Sequence, residues 1–227
     1  MGSTNNSIRG RVLLEKVRAD FIGINTAYKN VNGDYTSRIY LDSTASSLMF
    51  RPATNITMDF LAHYSNTHSK LHHSAHISTS AYDWAHERIL SFLGADPEIY
   101  TCFFIGAGTT AGINRMARIF RDLNPDKDMA IISIMEHHSN DLPHRKHMRQ
   151  VIHVPVEGLN ENKMCISLPK LEEALKAGQG RINYVSITAV SNVTGIINPI
   201  HDIVENPETF GHRFRKVSDS IPFFFGQ

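Results

Sequence analysis

The chain has 227 residues, 41% hydrophobic and 20% charged, enough for one large α/β domain or one and a half average ones. A formal net charge of +1 removes the electrostatic case for a nucleic acid or an anionic membrane as partner, and no uninterrupted apolar segment reaches transmembrane length. Cys102 and Cys165 stand far apart and make no disulfide framework, which points to a reducing, cytoplasmic setting.

Residues 1–37 read as a polar, Gly/Asn-rich leader with a short helix near 13–21. The N-terminus has no apolar signal-peptide core, and Asn6 breaks the myristoylation pattern. Residues 38–42 predict a short strand that runs into the small-residue turn Ser43-Thr44-Ala45-Ser46-Ser47. Ile56, Phe60 and Leu61 give residues 52–64 an apolar helical face. The polar, His-rich stretch 66–78 reads as a loop. Residues 80–93 predict a helix with Ala81, Trp84, Ala85, Ile89 and Phe92 on one side and Gly94 as its stop.

The rhythm then changes. Residues 100–105 predict a buried strand, followed by a Gly-rich turn and a helix over 110–120. Further strands are predicted at 129–134, 151–156 and 182–188, with a helix at 168–177. Strands alternating with helices argue for the α/β class, with a mostly parallel sheet flanked by helices on both faces. Another helix opens at Asn198-Pro199 and ends near Glu205, ahead of Pro207. Residues 206–227 then diverge and close on Phe223-Phe224-Phe225, so the architecture reads as interrupted. Three segments are expected: a leader over 1–37, a partial large domain over 38–205 and a divergent tail over 206–227.

Three polar elbows follow predicted strands, at the sheet edge where open α/β folds build ligand sites. Gly106-Ala107-Gly108-Thr109-Thr110 opens a helix; it suits an anion, or is a tight connection with a Thr cap. In Glu136-His137-His138-Ser139-Asn140, the His137 ring can lie flat on a planar ligand, or serve structure. In Ser191-Asn192-Val193-Thr194-Gly195, Asn192 can bond a ring hydroxyl, or simply shape the turn before Gly195. His68, His72 and His76 recur every four residues and on one helix would stack as a zinc site, although no Cys or carboxylate stands among them.

Order and spacing join these signals. Tyr40-Leu41-Asp42-Ser43-Thr44-Ala45-Ser46, Asn66-Thr67-His68 with His72, and Gly108-Thr109-Thr110-Ala111-Gly112-Ile113-Asn114 come first. Glu136-His137-His138-Ser139-Asn140-Asp141-Leu142-Pro143 and Val190-Ser191-Asn192-Val193-Thr194-Gly195 follow. The series resembles the class V aminotransferase family, within it the cysteine desulfurases and selenocysteine lyases, over about residues 38–204. The resemblance implies a fold type I transferase large domain using pyridoxal 5'-phosphate, with Gly108, Thr109 and Thr110 at the cofactor phosphate. It puts His137 on the pyridine ring, Asn192 at the ring hydroxyl, and Ala45 and His68 beside the substrate. It also implies a small amino-acid substrate such as L-cysteine, and a homodimer.

The chain departs from the family pattern at Ala111, where Glu is usual, at Ser69, where Arg is common, and at His144, where Trp is expected. The family's Asp for the pyridine nitrogen and its Ser-x-His-Lys segment, whose Lys anchors the cofactor, have no counterpart; Asp219 lies in no comparable context. No catalytic residue is therefore assigned. The chain reads as a truncated, inert enzyme portion. Alternatives are a non-catalytic regulatory protein that pairs with a full-length relative, and a His-rich metal-binding protein.

Overall fold

The computed structural model describes residues 3–43, 45–160, 163–204 and 223–226. The contacts divide them at Phe103/Phe104 into two compact units, a division that falls inside the 38–205 span.

The first unit opens with helix α1 (Ser3–Ala19), longer than the short helix expected. An antiparallel hairpin follows, β1 (Ala27–Lys29) and β2 (Tyr35–Ser37), with Ala27 opposite Ser37. Its turn is closed by Asn30, whose Oδ1 accepts from the backbone N–H of Asn32 and Asp34, both at 3.0 Å. Asn32-Gly33 is a strong hairpin signal, and Gly33 takes φ +93 as such a turn requires. Residues 38–42 are not a strand; the extended pairing lies just before them, in β2.

Helix α2 (Arg51–Leu61) carries Pro52 in its first turn, where the missing N–H costs nothing. Helix α3 (His73–Phe92) begins well before the expected residue 80. Its early Ser and Thr read as loop formers, yet tertiary bonds use them. Buried Ser78 accepts from Ser65 N at 2.9 Å, and Thr79 donates to Thr67 O at 3.1 Å. The loop before α3 is thus fastened to the helix. His72 caps α3, its Nδ1 accepting from Ala75 N at 3.3 Å, while His68 stays in the loop and His76 lies inside the helix. The fourfold spacing therefore does not stack on one helix. Among the described residues no three His, Cys, Asp or Glu converge to hold a metal.

The second unit contains the sheet. Residues 100–105 run as irregular chain at the junction of the two units, with Tyr100 and Phe103 exposed, rather than as the predicted strand. A short apolar run does not by itself specify a strand. Helix α4 (Gly108–Leu123) comes next, then β3 (Met129–Ser133), α5 (Leu142–His147) and β4 (Gln150–Val154). A hairpin that the sequence reading missed, β5 (Val156–Asn160) and β6 (Lys163–Ile166), precedes α6 (Leu168–Ala177) and β7 (Ile182–Thr188). Helix α7 (Ile200–Val204) and β8 (Phe223–Gly226) complete the described elements, and Asp219 lies outside the described residues.

The sheet order is β4-β3-β7-β8, every pair parallel. All residues of β3 and β7 are buried, as suits central strands covered on both faces. Alternation divides the core. Met129, Ile131, Val185 and Ile187 pack with Leu171 and Leu175 of α6 and Ile203 of α7. Ala130 and Tyr184 face the other way, toward Ala117 and Phe120 of α4 and Met148 after α5.

Helix α6 shows local and global signals agreeing. Ser167 caps it, Pro169 sits in its first turn and Gly178 ends it. A Cβ at Gly178 would lie 2.7 Å from Met129 Sδ and 2.8 Å from Ile182 Cγ1. Gly178→Ala is expected to cost about 1–3 kcal/mol, because the Ile182 branch is fixed by the strand. A urea midpoint equal to that of the parent chain would show that the core yields more readily than its packing implies.

Candidate functional site

Two strands, β3 and β7, end side by side and set the site. Their register ends at Ile132 opposite Ser186. Beyond it, β3 leads to Glu136 and His137, and β7 leads through Thr188 to the turn Ser191–Thr194. That turn is pinned by Ser191 N donating to Ile196 O and Asn198 N to Ala189 O, both at 2.9 Å, and Gly195 takes φ +69. A cleft of about 470 Å³ opens between the two elbows, lined by residues 134–138 and 191–194. His137 and Asn192 are both exposed within it.

Ser139 holds the His137 ring. His137 Nδ1 accepts from Ser139 N at 3.1 Å and lies 2.8 Å from Ser139 Oγ. A second, smaller recess shares Glu136 and His137 with the cleft and reaches Thr109, Ile113, Ser139, Asn140 and Thr188. Thr109 stands in the first turn of α4. Ahead of it Ala107 (φ 60, ψ 30) and Gly108 (φ 62) both take left-handed backbone, a conformation costly for Ala and easy for Gly. The N-cap residue Ala107 makes no side-chain cap to α4, which leaves the first N–H groups of the helix suited to an anion.

The structure thus brings Thr109, His137 and Asn192 to two adjoining recesses, with Gly108 and Thr110 in the same turn as Thr109. Thr110 O accepts from Asn114 Nδ2 at 2.8 Å. Ala45 and His68 belong to the first unit, Ala45 in the turn after residue 43 and His68 in the loop before α3, both exposed.

Behind His137 lies a buried polar network that sequence reasoning missed. Asn140 Oδ1 accepts from Ser186 Oγ at 2.8 Å and from His144 Nε2 at 3.0 Å. An amide oxygen only accepts, so the His144 proton is on Nε2. His144 Nδ1, 2.8 Å from the Tyr184 hydroxyl, therefore accepts from it. His144 is 2% exposed, and burial pushes its pKa down from 6.5 to about 4, against the opposing pull of Asp141. It is neutral at pH 7, and burial raises the Tyr184 hydroxyl above its usual range. An ¹⁵N spectrum is expected to show the Nε2–H tautomer of His144; an Nδ1–H signature would reverse the assignment.

The comparisons with known proteins come down on one family. The profile of aminotransferase class-V matches residues 39–211. The chain belongs to that family. It is 29% identical over 208 residues to a cysteine desulfurase of Synechococcus elongatus, covering 87% of this chain and 30% of that protein. It is 30% identical over 206 residues to a cysteine desulfurase of an Enterobacter species, covering 87% of this chain and 47% of the relative. The apo structure of a cysteine desulfurase from Thermococcus onnurineus superposes with a TM-score of 0.68 at 22% identity, over 93% of this chain and 46% of that one. The chain therefore spans less than half the length of these relatives. That superposition supports the fold type I assignment, and the described sheet and its flanking helices agree with it.

This class-V chain fits the family's cofactor in the chemistry of its donors. The helix-start N–H groups and two Thr hydroxyls suit a phosphate, while His137 and Asn192 both line the cleft beside them. His144, where the family pattern has Trp, is spent on the network behind the site. No described helix is long and apolar enough to cross a membrane.

Proposed function

We propose that this chain supplies the phosphate-holding and ring-holding half of a pyridoxal 5'-phosphate site, in an enzyme of cysteine desulfurase type acting on a small amino acid such as L-cysteine. The observation that carries the reading is the meeting of three elbows, with Thr109, His137 and Asn192 lining two recesses that share Glu136 and His137. In this reading Gly108, Thr109 and Thr110 bind the phosphate, His137 lies against the ring and Asn192 bonds the ring hydroxyl. Ala45 and His68 are proposed for the substrate side. When bound, the group supplies an electron sink for bonds at the amino-acid α-carbon.

No Ser-x-His-Lys run occurs within the 227 residues, so we take these residues alone to bind without turnover. Family resemblance favours a homodimer, or pairing with a full-length relative, in the cytoplasm.

The test uses pyridoxine 5'-phosphate, which lacks the aldehyde that would react with surface lysines. The purified chain is titrated with it and the ligand's fluorescence followed. Thr109→Val and His137→Ala are each expected to weaken binding about 10-fold, the scale of one lost hydrogen bond to a charged group or of one stacked ring. Equal affinity in the parent and both variants would sink the assignment.

A further inference from the structure

The hydrogen bonds behind His137 all point one way. Tyr184 donates to His144, and His144 and Ser186 donate to Asn140 Oδ1. Asn140 Nδ2 donates to Glu136 Oε2 at 2.6 Å. Glu136 Oε1 accepts from Ser133 Oγ at 2.5 Å and from the backbone N–H of Thr188 at 2.7 Å. Three donors converge on one carboxylate, the sink of the network.

We propose that Glu136 is a positioning residue, whose carboxylate ties the end of β3 to the end of β7 and so sets the gap between His137 and Asn192. The inference rests on reading that cleft as the cofactor site. The strand register between β3 and β7 stops at Ile132 opposite Ser186. The next tie across is the Glu136 side chain, which takes the Thr188 N–H where a further strand residue would have offered a carbonyl. From Thr188 the constraint passes on: its hydroxyl donates to Val190 O at 2.9 Å, and Val190 bridges Ile197 across the base of the Asn192 turn. On the other side, His137 is the next residue after Glu136. Both elbows are thus tied to one carboxylate. Its two oxygens are taken by three donors, so holding is its work rather than proton transfer.

Donor and acceptor identity makes this testable. In Glu136→Gln the new amide cannot accept from Ser133, Thr188 and Asn140 together, because its NH₂ meets another donor. In Glu136→Gln with Asn140→Asp the complement returns: the Gln NH₂ faces a carboxylate that still accepts from Ser186 and His144. Three quantities are read in the parent, Glu136→Gln and the double variant: affinity for pyridoxine 5'-phosphate, affinity for inorganic phosphate, and hydrogen exchange at the Thr188 amide.

Glu136→Gln is expected to lower pyridoxine 5'-phosphate affinity about 10-fold and to speed Thr188 exchange by at least as much, with inorganic phosphate affinity within about 2-fold. The double variant is expected to recover both to within about 3-fold of the parent. Ser133→Ala, which removes one donor gently, is expected to give about a 3-fold loss and keeps the question open to measurement if the single Gln variant does not fold. Faster Thr188 exchange with unchanged pyridoxine 5'-phosphate affinity would make Glu136 structural only and overturn the proposal. An equal loss for inorganic phosphate would overturn it as well. A parent chain that binds no pyridoxine 5'-phosphate overturns the reading of the cleft itself, a result distinct from both.

Discussion

Replacing Ile131 with Ala is expected to lower the unfolding free energy by about 3–4 kcal/mol, within the range for a large aliphatic side chain cut back in a packed core. Ile131 is fully buried in β3 and registers with Ile152 of β4 on one side and Val185 of β7 on the other. Its side chain enters the cluster that holds Leu171 and Leu175 of α6, so its removal leaves a cavity walled by two strands and a helix. Strand backbones on both sides limit collapse into that space, which puts the cost above the transfer term alone. Ile131→Val is expected to cost about 0.5–1.5 kcal/mol at the same site. Urea unfolding followed by circular dichroism measures both. A loss below about 1 kcal/mol for the Ala variant would mean that β3 is not the structural centre of the second unit.

The second large effect is a loss of stability on acidification that comes from one buried imidazole. His144 has its pKa pushed from 6.5 to about 4 by burial, so folding favours the neutral ring. Below pH 6.5 the unfolded chain takes up a proton at this position that the folded chain resists until about pH 4. Stability therefore rises with pH across that window and is lost as pH falls through it. The gap corresponds to roughly 3 kcal/mol at about 1.36 kcal/mol per pH unit.

Neighbouring groups shape the curve. His147 is depressed by burial and by Arg121, Lys146 and Arg118, and acts in the same direction, but it is largely solvated and contributes little. Asp141 is held low because the Arg145 and His153 hydrogen bonds outweigh its burial, so its share is lost only further into acid. Burial raises Glu136 despite its hydrogen bonds to Ser133, Asn140 and Thr188, so its share is greatest in acid and falls as pH rises past 4.5, opposing His144 at the lower end of the window. His144→Gln removes this titration, and its stability is expected to rise with pH far less steeply than the parent's between pH 5 and 6.5. A slope as steep as the parent's in that variant would put the responsible proton elsewhere.

Much of the fold is legible because apolar runs and punctuation coincide. β3, α6 and β7 stand where residues 129–134, 168–177 and 182–188 predict them, and the parallel pairing follows from their alternation with helices. Failures came where tertiary contacts overrule local pattern. Ser78 and Thr79 look like loop residues until their partners at Ser65 and Thr67 are known. Residues 100–105 look like a strand but do not form one.

The site divides in the same way. The elbows bearing Thr109, His137 and Asn192 are visible as motifs after apolar segments, because each is contiguous. The network of Glu136, Asn140, His144, Tyr184, Ser186 and Thr188 is not, because its first three members bond to the last three across 40 to 52 residues. A single sequence shows that these polar residues exist, not that they meet.

The central place of β3 bears on how the protein is made. During vectorial synthesis β3 leaves the ribosome before either of its neighbours, since Met129 registers with Gln150 on one side and with Ile182 on the other. At roughly 5–20 residues per second, β7 follows about 3–10 s later. For that interval the strand Met-Ala-Ile-Ile-Ser lacks the partner of one edge, and until α6 follows one of its faces is uncovered as well. Such a segment is a natural client for a chaperone that shields short apolar stretches on nascent chains, and heterologous expression is expected to yield more folded chain at temperatures that slow aggregation than at 37 °C.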